Sequence, residues 1–167
     1  MKKVITMLLV GLMLIGGTIA AYAEEPSELS TEALLEKGAG AGILKEFTEE
    51  MHQLNDLRME RNQLEIQLIG KRDQLIELRL DAKEEGNKEA LEAARKEREQ
   101  IKATNEGIKA LHDQAAEARE AFREAVRAKD SEKAGEELDK LINAVSSINE
   151  KLENKVEVLN TVIDILS

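Results

Sequence analysis

Residues 134–166, AGEELDKLINAVSSINEKLENKVEVLNTVIDIL, place an apolar side chain at every third or fourth position. The series runs Ala134, Leu138, Leu141, Val145, Ile148, Leu152, Leu159, Val162 and Leu166, with Lys155 as its one charged step. Alternating steps of three and four keep one seam facing a partner helix, which is the signature of a coiled coil. A strand would need alternation every second residue, and this segment does not alternate.

The same spacing continues toward the N-terminus in two further segments. One starts near Lys88 and runs to about Lys129, with its seam at Leu91, Ala94, Arg98, Ile101, Thr104, Ile108, Leu111, Ala115, Ala118, Phe122 and Ala125. Its many alanines allow close approach of a neighbouring helix. The other runs from Leu44 to Glu85 through Leu44, Phe47, Met51, Leu54, Leu57, Leu64, Leu68, Leu75, Leu78 and Ala82, with Arg61 and Lys71 on seam positions. A second row, Ile66, Ile69, Ile76 and Leu80, is expected to widen this stripe in its distal half.

Two junctions follow from local chemistry. Gly86-Asn87 supplies a glycine for a left-handed helix end and an asparagine to cap the next helix. At Lys129-Asp130-Ser131 the seam changes phase. Continuing from Phe122 and Ala125 would bring Glu132, Glu136 and Asp139 inward, whereas the apolar residues lie two positions later. A turn there, with Asp130 or Ser131 as N-cap, is favoured over a continuous kinked helix. Folding at Gly86 pairs residues whose numbers total about 173, and folding at Asp130 pairs those totalling about 260. The expected fold is all-α: an antiparallel coiled-coil hairpin extended to a slender three-helix bundle over residues 44–167.

Ahead of this domain the character changes. Residues 1–23 have a basic start at Lys2-Lys3, an uncharged apolar run from Val4 and the small-x-small triplet Ala21-Tyr22-Ala23, which together read as a signal peptide cleaved after Ala23. The rival, an uncleaved anchor, is disfavoured by Gly11, Gly16 and Gly17. With no cysteine in the chain, a lipobox is excluded. Residues 24–43 read as a flexible lead-in, with Gly38, Gly40 and Gly42 forming a hinge. The protein is therefore expected to be exported, as a secreted, periplasmic or cell-envelope component.

Composition limits function. Loss of Lys2 and Lys3 would leave 22 basic against 34 acidic side chains, a net charge of −12. Such a chain is a poor ligand for nucleic acid or anionic lipid, so neither nucleic-acid binding nor membrane association after cleavage is expected. Cleavage would also remove Tyr22, leaving Phe47 and Phe122 as the aromatics, too few for an aromatic-lined ligand groove.

No constellation for catalysis emerges. His52 and His112 fall about 13 Å apart along the hairpin axis, too far to share a metal ion. Glu92 with Lys96 and Glu120 with Arg123 have the spacing of solvated ion pairs. Gly70-Lys71-Arg72 is not a phosphate loop, because Glu65 stands where the first glycine belongs and no strand precedes it. No enzyme activity, cofactor or metal site is expected. Arg61, Lys71, Arg98 and Lys155 on the seams either lay their stems on the core or set register and pairing.

Phe47-Thr48-Glu49-Glu50-Met51 keeps the threonine of a Leu-Thr-x-x-Gln motif and replaces its leucine and glutamine; Leu29-Ser30-Thr31-Glu32-Ala33 keeps the leucine and a hydroxyl. With its export signal and all-helical make-up, the chain resembles the small envelope-stress proteins of the Spy and CpxP class. That resemblance, carried by architecture and export, implies a helical envelope protein that holds unfolded clients. The expected function is a non-enzymatic helical interaction protein, chaperone-like or an envelope-stress adaptor, with Ile66, Ile69, Ile76 and Leu80 as its interaction surface. A structural coiled-coil homo-oligomer of the envelope is the alternative, and a metal-binding sensor a second. Either leading reading calls for a protein partner or self-association.

Overall fold

A computed structural model describes residues 41–167. Residues 1–40, which hold the expected signal peptide and most of the expected lead-in, lie outside the described residues. Within the described residues the chain is helical and has no strand. Four helices follow one another: α1 (Ala41–Glu46), α2 (Thr48–Glu84), α3 (Lys88–Ala128) and α4 (Ser131–Leu166). Among the described residues, no helix is long and apolar enough to cross a membrane.

Among the described residues the first helix covers Ala41–Glu46, inside the stretch read as lead-in, so Gly42 belongs to a helix and not to a hinge. Burial of Leu44 against the rest of the bundle anchors this short turn. The first expected helix is also divided. At Phe47 (φ −109°, ψ 24°) the backbone leaves helical geometry, its N–H bonding three residues back to the Leu44 carbonyl at 3.3 Å. The Phe47 ring packs edge-on against Phe122, with centroids 6.2 Å apart. It also lies so close to Gly135 that an added Cβ there would come within 3.3 Å of the ring.

Both junctions are tight turns. Gly86 adopts φ +72°, and the N–H groups of Gly86 and Asn87 bond to the Lys83 and Ala82 carbonyls. This is a Schellman end, and glycine occupies its left-handed position without a Cβ clash. Asn87 caps α3 by accepting from the Ala90 N–H at 3.1 Å. The phase break at Lys129 is likewise a turn, in which Lys129 itself takes φ 60°. Asp130 then caps α4 by accepting from the Lys133 N–H at 3.0 Å.

Helix α4 is the centre of the molecule. It buries the whole heptad seam, together with Ile142, Ala144, Asn149 and Ile163 beside it. Antiparallel α3 packs along one side, where Ala94, Ala115, Ala118 and Ala125 bring the backbones close. The α3/α4 register is the one expected: Lys155 Nζ donates to Asn105 Oδ1 at 2.7 Å. Helix α2 runs parallel to α4, held by Asn149 Nδ2 donating to the Leu57 carbonyl at 2.9 Å and to Glu60 Oε2 at 2.7 Å. Lys71 Nζ also bonds to Asn160 Oδ1.

Helices α2 and α3 seldom approach each other directly. The register expected from the Gly86 turn sets Phe47 and Phe122 in neighbouring layers, and their rings are in edge-on contact. Both helices pack mainly on α4.

Candidate interaction surface

Helix α2 carries two seams. The inward one buries Leu54, Arg61, Leu64, Leu68, Leu75 and Ala82, with Leu57, Lys71 and Leu78 half-buried between them. Five residues further along each time stands a second series: Met59, Asn62, Ile66, Ile69, Asp73, Ile76 and Leu80. Its steps also alternate between three and four. A shift of five residues rotates a position by about 140° around a helix. The second row therefore does not widen the core stripe, as its sequence pattern suggested, but lies near the back of the helix.

The exposures bear this out. Ile66 is 69% exposed, Met59 57%, Ile69 50%, and Ile76 and Leu80 each 44%. These five are the exposed large hydrophobics found among the described residues. From Met59 to Leu80 the seam extends for about 32 Å at the helical rise. Scattered surface leucines or isoleucines are ordinary, but these five share one face of α2, with Asn62 and Asp73 between them. Met59 was missed in the sequence reading, although its place in the heptad of Ile66 and Ile69 was available as a signal.

Polar seam residues split between two roles. Lys71 and Lys155 bond to asparagines on neighbouring helices, which is a register-setting arrangement. Lys155 is also deeply buried, 7% exposed. Burial pushes its ammonium down to about 8, and the nearby Arg72 charge adds to that effect. Arg98 is lowered from its ordinary value by burial and by Arg79. These basic groups occupy the space where α2 and α3 stay apart. Arg61 approaches Glu65 at 3.9 Å. Asn149, which ties α4 to the α2 backbone, was not singled out from sequence; it stands next to Ile148 on the seam and looks like a surface position.

The remaining features are those of a solvated helical surface. His52 is exposed and His112 half-buried. Among the described residues no group of three His, Cys, Asp or Glu side chains is placed to hold a metal ion. Glu120 pairs with Arg123 at 3.6 Å, as spaced, whereas Glu92 takes Arg95 at 3.6 Å and not Lys96. An open groove of about 540 Å³ runs between α3 and α4, floored by Ala118, Ala121 and Ala144. Its rim carries Glu137 and Lys140, paired at 2.7 Å, so the groove presents no unpaired acid–base couple. The geometry thus offers an apolar helical contact strip as the candidate site. Compared with known proteins, the chain matches no family model, no curated protein and no solved structure.

Proposed function

We propose that this is an exported, non-enzymatic helical interaction protein of the cell envelope, chaperone-like or an adaptor, whose working surface is the outward seam of α2. The observation that carries the reading is the exposure of Met59, Ile66, Ile69, Ile76 and Leu80 on the side of α2 turned from the core. A folded bundle gains nothing from apolar side chains left in water, since each fully buried aliphatic side chain would contribute about 1.5–3 kcal/mol. Heptad spacing suits that strip to a helical or nascently helical segment of another chain. Export is supported by the tripartite pattern of residues 1–23.

The test is aggregation suppression with a chemically unfolded client in the presence of a chelator. Protection at near-stoichiometric ratios, lost in Ile69→Glu, supports the reading. Equal behaviour of the two proteins in both client protection and hydrophobic-dye binding refutes it.

A further inference from the structure

We infer that the occupant of the outward α2 seam is a second copy of the same helix, docked antiparallel, with Ile66 of each copy facing Ile69 of the other. This rests on the seam being an interaction surface, and it names the partner. The argument lies in the order of polar and apolar steps.

In an antiparallel coiled coil the two classes of seam position alternate across the interface, so one register is defined by each choice of facing pair. Facing Ile66 with Ile69 brings Met59 opposite Ile76 and Asn62 opposite Asp73, each pair occurring twice by symmetry. Every apolar step from Met59 to Ile76 then meets an apolar step, and only Leu80, at each end, falls level with a polar residue, Asn55. The two polar steps meet each other, with an amide able to donate to a carboxylate. Sliding by one heptad in the direction that faces Ile66 with Ile76 puts Asp73 against Ile69 and Asn62 against Leu80, burying polar groups on apolar ones. A parallel pair would stack Asp73 on Asp73, placing like charges together.

Flanking residues fit the same register in its middle. Glu65, exposed on the protomer, comes nearly level with half-buried Arg72 of the second copy, again twice. At the two ends Arg58 opposes Arg79, which confines the favourable pairing to the central heptads. Gly70 adjoins Ile69 at the midpoint, and a Cβ built there meets nothing within 4 Å. Among the described residues nothing requires a glycine at that position, and the missing Cβ suits the close approach of a second backbone. Asn62, Asp73 and the exposed acids Glu65 and Glu77 make the strip unsuited to a lipid surface. About two and a half heptads form a small interface, so dissociation on the order of micromolar is expected.

The chain has no cysteine, which makes single-cysteine cross-linking unambiguous. The processed full chain is prepared as Asn62→Cys and as Asp73→Cys, and each is oxidised alone and as an equimolar mixture. The expected result is a covalent dimer in the mixture and monomer in each variant alone. Homodimers of each variant alone would mean parallel pairing and overturn the inference. Light scattering on the unmodified protein at tens of micromolar should show twice the protomer mass. Ile69→Glu, with helicity unchanged by circular dichroism, should raise the dissociation constant at least about tenfold. Monomer mass at every concentration overturns the second copy. If client protection still depends on Ile69 in that case, the interaction-surface reading survives; if neither mass nor protection responds to Ile69→Glu, both fail.

Discussion

Helices α2 and α4 have nearly equal lengths, 37 and 36 residues, and both carry apolar side chains on more than one side. Their fates differ. Lying between its two neighbours, α4 has its seam and the flanking Ile142, Ala144 and Ile163 all buried. Helix α2 touches the bundle along one face and leaves Ile66 and Ile69 half or more exposed on the other. Apolar spacing says which faces of a helix call for cover. Position in the bundle decides which of them receive it within one chain.

The sharpest way to break this comparison is to truncate one residue on each helix. Leu141→Ala empties a fully buried site on α4 and is expected to destabilise by about 2–5 kcal/mol. Ile66→Gln on the outer face of α2 should stay within about 0.5 kcal/mol. Urea midpoints, taken dilute enough for protomers to be separate, compare the two; similar losses would show that the α2 strip is covered within the chain.

Next in size is Lys155, the charged step in the α4 seam. Its folded pKa of about 8 lies below the lysine value of 10.5, so the folded state disfavours the ammonium. Between pH 8 and about 10.5 the unfolded chain binds more protons, and stability rises with pH. Below pH 8 the penalty is fully present. Lys155→Met should therefore stabilise by about 1–2 kcal/mol at pH 7 and flatten the pH dependence between 8 and 10 in calorimetric scans. Retention of the slope in the variant would assign it to groups other than Lys155.

Asp130→Ala removes the cap on which α4 begins and should cost about 1 kcal/mol. The smallest expected effect is at Lys129, a non-glycine residue at φ 60°. Lys129→Gly relieves that strain, and thermal unfolding should show a gain of about 0.5–1 kcal/mol. A loss instead would mean that the lysine side chain contributes more than its backbone conformation costs. Gly86 already holds the equivalent place before α3, so the two turns differ by one residue that can be exchanged.

Much of this was legible before any coordinates. Leu138, Leu141, Val145, Ile148, Leu152 and Val162 are buried as the heptad requires, and Asn87 and Asp130 cap their helices. The phase change after Ala125 located the α3–α4 turn because a seam that jumps by two positions cannot face one partner without a break. The candidate strip was legible in part: Ile66, Ile69, Ile76 and Leu80 were named, but as an extension of the core stripe. Their true place follows from the five-residue offset, which is arithmetic on the sequence. The interruption at Phe47 was not legible. It depends on a ring contact with Phe122 and Gly135, residues remote in sequence, and no local signal marks it.

Periodicity, capping residues and turn glycines were enough to specify an all-α chain, its helix ends and the α3/α4 register, because each rests on interactions within a few residues or on one repeating seam. Which helix occupies the centre was settled only by the assembled bundle. All three long helices have a seam, and the choice depends on how closely pairs can approach. The alanines of α3 admit α4, while α2 and α3 seldom approach each other directly and half-buried Arg98 lies near Arg79. That arrangement leaves the second seam of α2 facing water, and with it the surface proposed to meet another chain.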